Sequence, residues 1–159
     1  RDIEADAPYI VVHPFAGKPE RSLTKADVAR TAIDAAACHM RVIVLGGNSC
    51  RRDGRTTSYL IENFESAPHV LSLVNKYSVR LHAHIASRAA KFIGSVSAFN
   101  MVAQYCDVPA LVFGSRANRE DMKRGGSVFA TMRNNGTPIH YLDQSPDVSA
   151  IVREFCNAR

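Results

Sequence analysis

Lys91-Phe-Ile-Gly-Ser-Val-Ser-Ala-Phe-Asn-Met-Val-Ala-Gln-Tyr-Cys-Asp-Val-Pro-Ala-Leu-Val-Phe-Gly114 contains three elements in series. A short apolar run, Phe92-Ile93, stops at Gly94-Ser95. Phe99, Val102, Ala103 and Cys106 then recur at offsets of three, four and seven, the period of a helix with one apolar face. Pro109 releases a second apolar run, Ala110 to Phe113, which stops at Gly114-Ser115. Strand, small-residue turn, helix and strand make one βαβ unit. In an open parallel sheet, ligands bind outside the carboxyl ends of the strands, so these two small-residue turns mark where a site belongs.

Working outward, Tyr9-Ile-Val-Val-His13, closed by Pro14, reads as a buried first strand. Arg41-Val-Ile-Val-Leu45, closed by Gly46-Gly47-Asn48-Ser49, is the clearest strand of all. Between them lie a polar loop, Phe15 to Ser22, and an Ala-rich helix from Thr24 to about Cys38, with Thr24 and Asp27 as a capping pair and Leu23 as its staple. Arg51-Arg52-Asp53-Gly54-Arg55 is polar and loop-like, and a short helix is expected from Ser58 to Phe64. A weak strand, Val70 to Leu73, precedes a helix over Val79 to Ala90 with Leu81, Ile85 and Arg88 on one face. Beyond Gly114, the charged Ser115 to Arg124 ends at Gly125-Gly126, a short helix is expected over Ser127 to Met132, and Asn134-Asn135-Gly136 is a turn signal. Pro138-Ile-His-Tyr-Leu142 is the last strand. The last helix starts with Ser145 as N-cap, Pro146 at the first position and Asp147 in the first turn, and turns Val148, Ile151, Val152 and Phe155 inward. About six short strands alternating with helices predict an α/β fold, a parallel sheet with right-handed crossovers and helices on both faces.

A chain of 159 residues with 46% hydrophobic content suits one globular domain over 1–159. No apolar run approaches the roughly 20 residues of a membrane helix, so no transmembrane segment is expected. The chain starts at Arg1, which suggests a processed or cut start. Its net charge of +5 comes without a long Lys/Arg run or an aromatic-rich strand, which speaks against nucleic acid as a partner. The same charge suits an anionic small molecule, or simply a basic surface. Cys38, Cys50, Cys106 and Cys156 are spread out and form no CxxC, so a reducing, cytoplasmic compartment is expected and no metal site. Cys106 and Cys156 fall at apolar helical offsets, as small core residues do.

Three strand ends are candidate sites. After the first strand, Lys18 and Arg21 stand in a loop ahead of a helix, where cations and backbone N–H groups hold a phosphate; the alternative is a solvated loop. The spacing is neither a GK[ST] phosphate loop nor a GxGxxG fingerprint. After the second strand, Gly46, Gly47 and Asn48 either let a ligand approach the backbone or serve only a tight turn. At Gly94-Ser95-Val96-Ser97-Ala98 a strand runs straight into a helix start, an anion site by geometry unless a serine only caps the helix. His13, beside Pro14, either reaches a ligand or makes a satisfied internal contact. His82 and His84, two apart on a helix, face different ways and would not share a metal. No GxSxG supports a Ser-His-Asp triad.

Tyr9-Ile-Val-Val-His-Pro-Phe-Ala-Gly, Arg41-Val-Ile-Val-Leu-Gly-Gly, Phe92-Ile-Gly-Ser-Val-Ser-Ala-Phe-Asn-Met-Val-Ala and Val108-Pro-Ala-Leu-Val-Phe-Gly, in this order and spacing, resemble the nucleotide-sugar half of GT-B glycosyltransferases, the lipopolysaccharide heptosyltransferase-like enzymes in particular. The resemblance covers about Tyr9 to Gly114 and implies a Rossmann-like donor domain, the C-terminal half of a larger protein. It implies a preceding acceptor-binding domain as partner and transfer of a hexose or heptose from a nucleotide diphosphate sugar to an acceptor hydroxyl. That sugar nucleotide is a substrate, and no cofactor or metal is implied. Carried over, Lys18, Arg21, Gly94, Ser95, Ser97, Ala98 and Ser115 would face the donor diphosphate, and Gly46, Gly47 and Asn48 the base. The family pattern has Asp-Thr-Gly where Val96-Ser97-Ala98 stands, and a His where Met101 stands. Its Lys-Arg-Trp-Pro-like element is here Glu20-Arg21-Ser22-Leu23. The general base would belong to the acceptor half, so the isolated chain is expected to be inactive. The alternative is a degenerate GT-B-like domain that serves as a binding or assembly module.

Overall fold

A computed structural model describes residues 7–15, 26–47, 49–52, 55–58, 69–116, 119–120, 137, 139–144 and 146–158. In chain order these form β1 (Tyr9–His13), α1 (Ala26–Ala37), β2 (Arg41–Val44), β3 (Ser49–Arg52), β4 (Arg55–Ser58), β5 (Val70–Ser72), α2 (Val79–Ser87), β6 (Lys91–Ser95), α3 (Ala98–Tyr105), β7 (Ala110–Gly114), β8 (Ile139–Tyr141), a 3-10 turn (Leu142–Gln144) and α4 (Val148–Asn157). Six strands make one sheet, ordered β5-β2-β1-β6-β7-β8, and every pairing in it is parallel. The expected α/β, Rossmann-like architecture is what forms.

Side chains alternate across the sheet because successive Cβ atoms point to opposite faces. Ile10, Val12, Val42, Val44, Ile93, Leu111 and Phe113 turn one way and meet Ala29, Ala32, Ile33 and Ala36 of α1 and Val148 and Val152 of α4. Val11, Ile43 and Phe92 turn the other way and meet Ala86, Ala89 and Ala103. The α1/α4 pair thus covers one face and the α2/α3 pair the other. Strands buried on both sides need apolar residues at nearly every position, which is why β1, β2, β6 and β7 read as continuous runs. Tyr9 crosses from sheet to helix layer, its hydroxyl donating to the Ile85 carbonyl at 2.9 Å.

Several sequence expectations are corrected. The polar stretch after β2 is not a loop: β3 and β4 pair antiparallel, from Ser49↔Ser58 to Arg52↔Arg55. Ser58 therefore belongs to a strand and not to a helix start. In α2, Arg88 is the exposed C-cap, and the inner side holds His82 and Ala86 instead. The helix stops at Ser87 because the Arg88 and Ala89 N–H groups turn to the carbonyls of Ile85 and Ala86. Cys106 is exposed, because α3 ends at Tyr105 and Cys106 leaves the helical path as its C-cap. Cys156 does pack against the core. Asp147, not Ser145, caps α4, its carboxylate accepting from Ala150 N–H at 3.0 Å. The expectations for Lys18, Arg21, Asn48, the cap at Thr24, and the segments 59–64 and 121–136 lie outside the described residues.

Candidate functional site

The chain leaves β1 toward β2 and leaves β6 toward β7, in opposite directions along the sheet. The helices that follow, α1 and α3, lie on opposite faces of the sheet, which puts a switch point of the topology at the carboxyl ends of these two neighbours. That divergence opens a crevice, the place where open α/β sheets bind ligands. His13, Gly94, Ser95, Ser97 and the start of α3 converge there.

Two glycines make the convergence possible. His13 pairs with Gly94 across the β1–β6 ladder. A Cβ on Gly94 would stand 2.6 Å from the His13 carbonyl oxygen and 2.9 Å from the Phe92 ring, so no larger residue fits. Gly46 has φ of +121°, a backbone region that side chains strain to enter. The space a Cβ would take there is occupied by the Phe15 ring, with His13 Nε2 only 3.1 Å away. Gly46 therefore lets the end of β2 press against the His13 cluster, and its carbonyl accepts from Asn75 N–H at 2.9 Å. Gly46 serves packing at this point, and Gly47 is half-buried beside it.

His13 lies under the crevice, with Phe99 tilted against it at 4.4 Å between ring centres and Phe15 edge-on at 6.0 Å. Burial pushes its pKa down to about 3, with nearby His82 acting in the same direction. At neutral pH His13 is an uncharged dipole. Its Nδ1 is 3.5 Å from Ser97 Oγ, the long end of a hydrogen bond. His82 is also buried, and its Nε2 must be the donor in the 2.7 Å bond to the Lys76 carbonyl, since a carbonyl only accepts.

The two serines do different work. Ser95 is fully buried and donates its hydroxyl to the Pro14 carbonyl at 2.7 Å. It ties the chain leaving β1 onto β6. Ser97 is half-buried at the N-cap of α3, and its N–H donates to the buried Asn100 Oδ1 at 2.6 Å. Ala98 is exposed at the first turn, where the helix dipole favours an anion. Ser115 lies one strand away, after β7, with its carbonyl accepting from Arg119 N–H. Arg119 in turn pairs with Asp143 at 2.7 Å and lies over the Tyr141 ring. Val96, between the serines, is buried against Val112 in a small apolar cluster with Ile139.

Sequence reasoning left His13 open, placed Phe99 on the apolar face of its helix and Phe15 at the start of the donor-facing loop, and assigned nothing to Asn100. The signal was present in part, since a His at a strand's carboxyl end stands where the site forms. Among the described residues no cluster of His, Cys, Asp and Glu is arranged to hold a metal. A cavity of about 510 Å³ lined by Gln104, Asp107, Val108, Pro109, Ala110 and Thr137 opens at the amino end of β7, away from the crevice.

No family model and no curated protein matches the chain. Solved structures of similar shape include the iron-containing dodecameric glycosyltransferase TibC of enterotoxigenic E. coli, at 14% identity over 71% of this chain and 29% of that one, with a TM-score of 0.48. They also include the dodecameric iron-containing heptosyltransferase TibC in complex with ADP-D-beta-D-heptose, at 13% identity over 72% and 28%, with a TM-score of 0.49. The E. coli ADP-heptose lps heptosyltransferase II matches at 14% identity over 71% and 34%, with a TM-score of 0.47. The chain thus spans about a third or less of each of these proteins, and likeness at this level goes no further than general shape.

Proposed function

We propose that the crevice outside β1 and β6 binds the diphosphate of a nucleotide sugar, and that the chain is the donor-binding domain of a glycosyltransferase. The observation that carries this reading is the convergence of the β1 and β6 carboxyl ends on the start of α3. Backbone N–H groups at that helix start, with the Ser97 hydroxyl beside the His13 imidazole, form a neutral polar floor that suits phosphate oxygens. Lys18 and Arg21 follow His13 in the chain, and we assign to them the positive charge that the floor lacks. As the glycosidic bond to the diphosphate breaks, charge builds on the leaving phosphate, and fixed donors aimed there lower the barrier. A base within hydrogen-bond reach of the acceptor hydroxyl completes the reaction. His13 is unsuited to that task, because a group titrating near 3 is a weak proton acceptor at neutral pH. The base belongs to the acceptor-binding half that the resemblance implies.

One observation favours the second reading, a binding module without turnover. Val96 stands where the family pattern has Asp, and it is packed among Val112 and Ile139. No carboxylate can act from that position.

Thermal unfolding with UDP, ADP, GDP and their sugars tests the site. A ligand at one hundred times its dissociation constant stabilises by about 2.7 kcal/mol. Stabilisation by a nucleotide sugar, lost in Arg21→Ala and weakened in Ser97→Ala, is the expected result. An unchanged midpoint with every nucleotide would overturn it. Sugar release or transfer by the full-length protein separates the transferase from the module.

A further inference from the structure

The cavity at the amino end of β7 lies at the opposite end of the sheet from the crevice, and at about 510 Å³ it is of the size that holds a small molecule. Gln104 and Asp107 line it from the end of α3, Pro109 and Ala110 from the entry to β7, and Thr137 from the approach to β8. Gln104 is half-buried, and its amide Nε2 is buried with no acceptor in reach among the described residues. An N–H group taken out of water without an acceptor is a cost to the fold.

Asp107 carries two costs of its own. Its φ of +57° is left-handed, and it stands just past Cys106, the C-cap of α3, where glycine is the residue that fits without strain. Backbone bonds close the turn, from Asp107 N–H to the Gln104 carbonyl at 3.1 Å and from Val108 N–H to the Ala103 carbonyl at 2.9 Å. Glycine would make the first of these equally well. A carboxylate there also faces the negative end of the helix dipole. Asp107 is exposed, and no cation or N–H group among the described residues engages its carboxylate. Glycine would serve the fold better at this position, so the carboxylate answers to something other than stability.

We propose that this cavity is a carbohydrate site, separate from the crevice, in which Asp107 accepts from hydroxyls of a neutral sugar and Gln104 Nε2 donates to one of them. A hydroxyl both donates and accepts, so a sugar serves the carboxylate and the amide together, with the Thr137 hydroxyl as a further partner. An anion would meet Asp107 and the helix dipole with no cation among the described lining residues to offset them. An alkylammonium suits Asp107 but brings only donors to Gln104 Nε2. Pro109 and Ala110 offer an apolar wall to the C–H face of a sugar ring. The site stands whether or not the crevice holds a nucleotide.

Amide NMR of the 159-residue chain tests it, with glucose, galactose, mannose and N-acetylglucosamine added singly. At least one of them is expected to shift the Asp107, Val108 and Ala110 amides and the Gln104 side-chain amide in a saturable way, with the Gly94 to Ala98 amides unmoved. A hydrogen bond to a charged group is worth about tenfold in affinity, so Asp107→Gly should weaken binding about tenfold or more. The same variant should melt at an unchanged or higher temperature, because glycine relieves the left-handed backbone. Binding lost while stability is kept is a result that a purely structural aspartate would not give. Gln104→Leu should weaken binding as well, without loss of stability, since it removes the unpaired amide. No saturable shift with any of the sugars, unaltered binding by Asp107→Gly, or saturation of the same amides by ethylammonium or acetate but by no sugar each overturns the proposal. Sugar shifts confined to Gly94 to Ala98 place the sugar in the crevice and overturn it too.

Discussion

Gly94 and His13 show how tightly single residues constrain the crevice. At Gly94 the obstacle to a side chain is partly backbone, the His13 carbonyl at 2.6 Å, which cannot swing aside as a side chain can. Gly94→Ala is therefore expected to cost about 2–3 kcal/mol, by forcing β1 and β6 apart. A loss of less than about 0.5 kcal/mol in urea unfolding would show that the ladder has slack there. His13 carries a different signature. Folded, it titrates near 3, whereas an unfolded His titrates near 6.5. Between those values the unfolded chain holds the extra proton, so stability falls as pH drops through 6.5 and stops falling near 3. From pH 7 to pH 5 the His13 contribution to this loss is about 2 kcal/mol. In His13→Gln, which keeps a polar group without the titration, urea unfolding at the two pH values should show a decline smaller by that amount. An equal decline in both proteins would mean that His13 is not held neutral.

At the scale of elements, the two ends of α4 are secured by different means. Asp147 accepts from Ala150 N–H at the exposed start. At the other end Lys91 Nζ, from the first residue of β6, donates to the carbonyls of Phe155 at 2.6 Å, Cys156 at 3.0 Å and Ala158 at 2.6 Å, and lies over the Phe155 ring. A cation that satisfies several carbonyls at a helix C-terminus, partly buried, outweighs an exposed cap. Lys91→Met is expected to cost about 2 kcal/mol and Asp147→Ala about 1 kcal/mol. Amide exchange distinguishes the two, with faster exchange in the last turn for Lys91→Met and in the first turn for Asp147→Ala. The reverse order of costs would mean that the lysine bonds are no better than water. Neither detail is legible in the sequence. Lys91 reads there as the polar start of a strand, and Asp147 as one of three capping signals in a row. The parallel strands are legible because burial on both faces forces unbroken apolar runs such as Ile10 to Val12. The β3–β4 hairpin is not, because Ser-Cys-Arg-Arg and Arg-Thr-Thr-Ser lack an apolar face. Its one signal was Asp53-Gly54, a two-residue turn pair between them. The crevice was legible as a place, from small residues at strand ends. Its interior was not, since no spacing rule brings Phe99 against His13.

Beside the β3–β4 hairpin, the described residues place one six-stranded sheet between two helix layers, and the sheet keeps two apolar clusters apart. Ile93 belongs to the cluster under α1 and α4, and its neighbour Phe92 to the cluster under α2 and α3. Both are fully buried, yet their side chains point in opposite directions across one strand. The crevice depends on this separation, because α1 and α3 can diverge at the carboxyl edge only if each is held by its own core. If the cores are independent, small deletions in each should add. Ile93→Val and Phe92→Leu are each expected to cost about 1 kcal/mol, and the double variant about 2 kcal/mol, with a coupling below about 0.5 kcal/mol. Urea unfolding of the four proteins closes the cycle. A larger coupling would show that strain passes through the sheet, so that a ligand in the crevice would be felt in both clusters.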